Sequence, residues 1–466
     1  MAETRKKTVW NFIDKFEGDK VVWMIVLLLM LLSIVCSFSS TSRLLKGGET
    51  RLDIVGGQLI IVFIGLAVIV LCYNIKNINF FRALSSTGFL FSVILLAMLD
   101  LHIRTPLVRA INLNGAWRIL EIGGFQLHVF EFVKVAMVMY LSWAVEKVKK
   151  GVYPFLDSFK DNPHLKWLTT KFAKKCIYLY LPFLVILVMV LPGSNSSALF
   201  ISGIMFLTIV IGGGELKDMS LLAAAGVLLV VLCTGIYFLS GRKAFSRIGT
   251  GIERVFSDDT DNEKIVLESP KGSKAYHDAL DEIRQPYSAK IAVKQGGLLG
   301  KGAGQSRQRY VVPDISEDYM YSFIIEEYGL LGGIFVLILY LSLIARSVII
   351  TRNCGNDLFA KCAVAGLCML ITGQAFLHIF VNVDIGPMTG QTLPLISHGN
   401  FAFLCFSTAF GILLAISRIA YKRMKREQDT VAPIMEVRDS LDDLEAFESG
   451  ASEDDVDSIV SNEYDL

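Results

Sequence analysis

The chain has 466 residues, 53% of them hydrophobic and 19% charged, less charge than a soluble protein of this size carries. Net charge is +1, so the overall balance names no partner, and no nucleic acid is expected. Apolar runs of about 18 residues or more recur along the chain, long enough to cross a bilayer as helices, whereas a β-barrel would show short alternating segments.

In chain order the runs fall at Val21–Phe38, Gly56–Cys72, Leu84–Leu101, Phe130–Val145, Ile177–Leu191, Ser196–Gly212, Leu221–Leu239, Tyr319–Ala345, Ala360–Val383 and Phe401–Tyr421. They predict an all-α polytopic membrane protein of about ten transmembrane helices. The first run has no small-residue cleavage site and is expected to remain as a span. Pro192–Asn195 makes a tight hairpin between the fifth and sixth. Basic clusters orient the chain: Arg5, Lys6 and Lys7 before the first span, Lys147, Lys149, Lys150, Lys174 and Lys175 around the loop after the fourth, and Arg418, Lys422, Arg423, Lys425 and Arg426 after the last. With ten spans all three lie on one side, and positive residues mark the cytoplasm. Both termini are therefore expected to be cytoplasmic. The organisation that follows is an N-terminus 1–20, helices one to seven within 21–239, a large extracytoplasmic loop 240–317, helices eight to ten within 318–421, and an acidic, disordered tail 422–466.

The eight cysteines form no C-x-x-C pair, so neither a disulfide framework nor a zinc site is expected, and the histidines have no metal-ligand spacing. Three carboxylates, Asp314, Glu317 and Asp318, gather where the external loop enters the eighth span. Acidic residues favour a helix N-terminus, which is the plain explanation. The functional one is that clustered like charges raise a carboxyl pKa and poise a general base. Glu326 lies roughly 12 Å deeper along the helix than Asp318, too far for the paired carboxylates of a hydrolase at about 5–10 Å, and is expected to meet a buried cation or line a cavity. Glu131 and Lys134 share a face of the fourth span, either neutralising each other or meeting substrate.

The run Gly296-Gly297-Leu298-Leu299-Gly300-Lys301-Gly302-Ala303-Gly304-Gln305-Ser306-Arg307-Gln308-Arg309 lacks the Walker spacing. Its glycines can expose backbone N–H groups to an anion, with Lys301, Arg307 and Arg309 adding charge; a glycine-rich turn beside lipid headgroups is the alternative. Thr389–Gly399, with Gly390, Pro394 and Gly399, breaks regular structure before the last span. At membrane depth such backbone must be buried in protein or line a cavity.

Taken together, these segments resemble the SEDS (shape, elongation, division and sporulation) family over about Val21 to Tyr421. Asn114-Gly115-Ala116 with Arg118 matches the segment after its third span. Glu131 and Lys134 match the E-x-x-K of its Q-P-S-E-x-x-K motif. Gly297 through Ser306 matches G-G-L-x-G-x-G-x-G-x-S. Pro313 through Gly329 matches L-P-E-x-x-T-D-F-I-F-…-E-E-L-G, placing Asp318 on the family's catalytic aspartate. Gln374, Pro387, Thr389, Gly390, Leu393-Pro394, Ser397 and Gly399 match the ninth span and last external loop. The short run Gly304–Ser306 is more like the division branch than the rod-shape branch. Departures are Pro192–Ser197 in place of P-D-x-G-T, His128-Val129-Phe130 for Q-P-S, Ser316 and Glu317 before the aspartate, a link from Arg309 to Pro313 one residue short, His378 for a common Asn, and Asn400-Phe401 for Gly-Ser.

The resemblance implies a peptidoglycan glycosyltransferase that polymerises lipid II and releases undecaprenyl diphosphate. It implies substrate contacts at Arg118, Glu131, Lys134, Gln285, Gly300, Lys301, Gly302, Ser306, Arg307, Arg309 and Ser397. No metal ligands can be read from the sequence; a divalent cation, Mg or Mn, could bridge the diphosphate, and no other cofactor is expected. The implied partners are a class B penicillin-binding protein and other divisome proteins, and the implied place is the bacterial inner membrane at the septum. A lipid II flippase is the competing class, favoured by Glu131 and Lys134 within the membrane; a non-catalytic scaffold working through the tail is a third.

Overall fold

The computed structural model describes residues 17–40, 51–113, 116–153, 167, 170–240, 249, 259–271, 273–312, 315–386 and 388–450. Arg5, Lys6, Lys7, Asn114, Gly115, Pro313, Asp314, Pro387 and the end of the acidic tail therefore lie outside the described residues. Residues 19–417 form one unit, and its elements follow from the apolar runs, because in lipid a spanning segment must satisfy its own backbone polar groups.

The helices are α1 (Lys20–Ser40), α2 (Arg51–Asn74), α3 (Ile78–Ser86), α4 (Gly88–Asp100), α5 (Val129–Lys150), α6 (Lys171–Lys175), α7 (Leu181–Val190), α8 (Asn195–Ile211), α9 (Leu216–Leu239), α10 (Asp259–Glu268), α11 (Lys274–Gly296), α12 (Met320–Asn353), α13 (Leu358–Asn382) and α14 (Asn400–Gly450). Eight of the ten expected spans coincide with one helix each; the third is divided between α3 and α4, and the fifth runs from a π-helical segment, Cys176–Tyr180, into α7. Among the described residues, seven stretches are long and apolar enough to cross a membrane, eight counting α3 and α4 together, which are bent by 42°. The remaining two expected spans are α5, which carries Glu131 and Lys134, and α8, of 17 residues. At the bend, a Cβ on Gly88 would stand 2.8 Å from the Ala136 carbonyl, so only glycine lets α4 lie this close to α5.

The expected all-helical architecture holds apart from a three-stranded antiparallel sheet, β1 (Val108–Leu113), β2 (Ala116–Ile122) and β3 (Phe125–His128), ordered β1-β2-β3. Ile122 pairs with Phe125 across Gly123-Gly124, whose φ angles are +58° and +87°. A two-residue turn of this kind needs positive φ, which glycine supplies freely. Leu120, Val129, Val133 and Met137 carry the core from the sheet into α5.

The segment 240–317 contains α10 and α11 besides the glycine-rich run, with Ala289 and Ala292 of α11 buried. The tail 422–466, expected to be disordered, is helical to Gly450 among the described residues. Poor apolar periodicity excludes a buried face, not a helix, and its Glu, Arg, Leu and Ala are good helix formers. In the second unit, Arg418 and Lys422 meet Glu17 at 3.0 and 2.7 Å.

At the start of α13, Arg82 pairs with Asp357 at 2.9 Å and Glu146 at 2.8 Å, and Lys150 meets Glu146 at 2.8 Å. Asp357 also caps α13 through the Ala360 N–H at 3.0 Å. These pairs pin α3, α5 and α13 together at one end. The other end of α13, Asn382, touches Asp318.

Candidate active site

Asp318 stands just before α12, in the turn that joins the loop to the helix. Its side chain is half-buried, and Glu317 beside it is exposed. The Asp318 carbonyl accepts from Asn382 Nδ2 at 3.0 Å. A Cβ on Gly390 would lie 3.9 Å from Asp318 Oδ2. The loop backbone thus passes beside the carboxylate without a side chain over it. Gly390 has φ +63°, a left-handed conformation that glycine adopts at no steric cost.

The loop 388–399 is held by other elements at almost every irregular position. The Gln391 carbonyl meets His378 Nδ1 at 2.7 Å, the Thr392 carbonyl accepts from Gln374 Nε2 at 3.0 Å, the Pro394 carbonyl from Tyr340 Oη at 2.6 Å, and the Ile396 carbonyl from Ser33 Oγ at 3.0 Å. Ser397 Oγ accepts from the Leu393 N–H at 2.9 Å and donates to the Glu317 carbonyl at 2.8 Å. The His398 N–H donates to the Ser316 carbonyl at 2.8 Å. Leu393, Leu395 and Ile396 are buried. Non-helical backbone in a span region persists when protein satisfies it in this way. Ser397, expected on substrate, here ties this loop to the turn that carries Asp318.

The glycine-rich run packs against a break in α12. Gly329 has φ +73° and ψ −177°, which frees the carbonyls of the preceding turn. The Lys301 and Gly302 N–H groups donate to the Glu326 and Glu327 carbonyls at 2.9 Å each, the Gly300 N–H to the Gly296 carbonyl at 2.8 Å, and the Leu330 N–H to the Gly297 carbonyl at 2.9 Å. A Cβ on Gly300 would stand 2.2 Å from the Glu327 carbonyl oxygen. The N–H groups of Gly300 and Gly302, expected to cradle a diphosphate, are therefore spent on protein carbonyls, and the glycines serve close backbone approach instead.

Glu326 is fully buried, and its carboxylate organises the rest of that loop. Oε1 accepts from Lys301 Nζ at 2.8 Å and the Arg307 N–H at 3.0 Å; Oε2 accepts from Ser306 Oγ and from the Gln308 N–H at 3.3 Å. The cationic partner of Glu326 is Lys301, half-buried rather than buried as expected, which also reaches Gln295. Arg309 is buried and donates to the Ser39 carbonyl at 3.1 Å and to Tyr310 Oη at 2.9 Å. Of the loop cations, Arg307 is the exposed one. Gln285 lies half-buried on α11.

Lys134 is 2% exposed, and its ammonium has three acceptors, Glu131 Oε1, Gln374 Oε1 and Gln391 Oε1, each at 2.7 Å. An ammonium has three protons to donate, so Lys134 is fully used in joining α5, α13 and the loop. It is separated from those glutamines by 240 and 257 residues of sequence. Arg118 on β2 donates Nε to the Gly193 carbonyl at 3.1 Å, holding the hairpin that departs from the family pattern.

Sequence reasoning missed Asn382 and the use of His378. The available signal was a polar pair four apart within an apolar span, which rarely lacks partners. An apolar groove of about 270 Å³ is lined by Phe81, Leu84 and Phe91 of the bent pair, Phe132 and Met139 of α5 and Leu404 of α14. Leu84 and Phe91 are exposed. Phe401, also in its wall, stacks edge-on with Phe125 of β3, centroids 6.0 Å apart. No group of three His, Cys, Asp or Glu side chains suited to a metal occurs among the described residues.

Burial holds His398 below the ordinary histidine pKa of 6.5. Burial does the same to His128, where Glu131 pulls upward and Arg118 and Lys134 push down. Both rings bind a proton less readily in the folded chain than in the unfolded one, which takes up its protons as pH falls past 6.5. Stability therefore drops on acidification through that range. Thermal unfolding in detergent should shift down between about pH 7.5 and 5.5, and His128→Gln with His398→Asn should flatten that slope.

The family model for the cell cycle proteins FtsW, RodA and SpoVE matches residues 19–422. Among curated relatives, the probable peptidoglycan glycosyltransferase FtsW of Caulobacter vibrioides is 27% identical over 311 residues, covering 66% of this chain and 67% of that protein. Among solved structures, a chain of a peptidoglycan synthase complex aligns with TM-score 0.58 and 18% identity, covering 87% of this chain and 98% of that one. The rod shape determining protein RodA of Thermus thermophilus aligns with TM-score 0.52 and 19% identity over the same shares. At those identities the two structures speak for the fold, a membrane-embedded helical bundle. The ordered motifs and the match across most of its length make this chain a member of the FtsW, RodA and SpoVE family of cell cycle proteins, the SEDS family.

Proposed function

We propose that this protein is a peptidoglycan glycosyltransferase that polymerises lipid II into glycan strands for septal cell-wall synthesis, with Asp318 as its general base. The observation that carries the reading is the placement of Asp318: half-buried at the head of α12, its Oδ2 flanked by the bare backbone of Gly390. Asp318 takes the proton from the GlcNAc 4-hydroxyl of the acceptor. That oxygen attacks the anomeric carbon of MurNAc at the lipid-linked end of the growing strand. The bond to the diphosphate breaks, and undecaprenyl diphosphate leaves with its electrons. Preorganised cations stabilise such a leaving group. Arg307 is the exposed candidate, whereas Lys301 and Arg309 are engaged within the protein. The groove between α3, α4, α5 and α14 suits a polyprenyl tail, being apolar and open at Leu84 and Phe91.

The reading includes a class B penicillin-binding protein as partner, other divisome proteins, cytoplasmic termini and a place in the inner membrane at the septum. A flippase would need midplane ionisable groups that exchange partners during transport. The three acceptors on Lys134 make that pair a fixed tie instead. The test is strand formation from lipid II by the full chain purified with its cognate transpeptidase, other polymerases excluded. Strands are expected; a folded complex that makes none would overturn the reading.

A further inference from the structure

We propose that His378, together with Asn382, is a positioning residue that sets the catalytic carboxylate by capping the start of α12 from a neighbouring helix. The proposal rests on Asp318 being the base. An α-helix leaves its first N–H groups without intrahelical partners. Tyr319, the N-cap of α12, supplies no side-chain cap. The acceptors come from α13 instead: the Tyr321 N–H donates to His378 Nε2 at 3.3 Å and the Ser322 N–H to Asn382 Oδ1 at 2.8 Å. Both α13 residues are 1% exposed. Being four apart, they share one helix face.

The same two side chains also hold the other walls of the site. Asn382 Nδ2 donates to the Asp318 carbonyl at 3.0 Å and to the His378 carbonyl at 2.8 Å. His378 Nδ1 meets the Gln391 carbonyl at 2.7 Å, one residue beyond the Gly390 that flanks Asp318 Oδ2. Because Nε2 accepts from a backbone N–H, the ring proton sits on Nδ1 and is donated to Gln391. One neutral tautomer therefore joins the head of α12 to the loop beside Asp318. Without that link, the carboxylate loses its fixed distance to the loop, although its own backbone tie through Asn382 remains.

The experiment compares wild type, His378→Leu, His378→Gln and Asp318→Asn as full chains with the cognate transpeptidase, measuring kcat and KM on lipid II and the melting temperature of each. Leu removes both ring contacts at similar size; the Gln carboxamide can still accept and donate. His378→Leu should lower kcat about ten- to a hundredfold, the scale of a small misplacement at a reacting group, with KM nearly unchanged. His378→Gln should return most of that kcat. A core-packing role would lower melting temperature for both without this split. Should His378→Leu not fold, Asn382→Asp carries the test: it keeps the Ser322 acceptor, loses the donor to the Asp318 carbonyl, and should also lower kcat. Unaltered kcat in the folded variants, or no rescue by Gln, overturns the proposal. An active Asp318→Asn overturns the reading beneath it, whereas a silent Asp318→Asn beside a fully active His378→Leu removes the positioning role alone.

Discussion

Asp318→Asn should leave a folded protein that forms no measurable glycan strands. The substitution keeps the side-chain shape, and the backbone tie to Asn382 is untouched. It removes the negative charge and, with it, the ability to accept a proton at neutral pH. General-base catalysis contributes about a hundred- to ten-thousandfold, so strand formation should fall by at least that lower bound. The measurement is polymer length and amount from lipid II with wild type alongside. Unchanged polymerisation would remove Asp318 from the chemistry. Strand loss with an intact melting curve would put it there, because a half-buried residue outside the core should not unfold the bundle.

Glu326→Leu is expected to have the largest effect on stability. The carboxylate accepts from Lys301, Ser306, and the Arg307 and Gln308 N–H groups, and Leu would leave all four donors without it. Removing one side of a buried ion pair costs about 3–5 kcal/mol, much of it from groups left unpaired. Glu326→Gln keeps acceptor capacity on one oxygen and should cost about 1–2 kcal/mol. Melting temperature and yield in detergent would read both. The ordering should be wild type, Gln, then Leu. Activity should fall in the same order, because Arg307 sits on the loop that Glu326 holds.

The helices were legible because a bilayer admits few alternatives: a long apolar run must bond to itself. Asp318, Glu326 and the loop 388–399 were legible from where carboxylates and chain breakers fall against those runs. Lys134 could be seen as buried, but not its glutamine partners, which arrive from far along the chain. The glycine-rich run shows why composition alone stopped short. Exposed N–H groups would bind an anion, yet the break at Gly329 supplies carbonyls that take them first. The sheet was readable in principle. Asn114-Gly115 and Gly123-Gly124 punctuate short β-branched stretches, a hairpin signal overshadowed by the neighbouring spans. His378 resisted because its meaning lies in two backbone groups of another helix, and a lone buried histidine in a span carries no such address.

The pairing between the glycine-rich run and the broken turn of α12 bears on how this region can change over time. Surface connections usually gain and lose residues freely. Here the Gly297 carbonyl and the Gly302 N–H are both matched to fixed atoms of α12, so the count of residues between them is set as strictly as in a strand register. An inserted or deleted residue there would shift every bond that replaces the missing helical ones. Length variation should therefore concentrate elsewhere in the segment 240–317, and this short stretch should keep its length even where its side chains diverge.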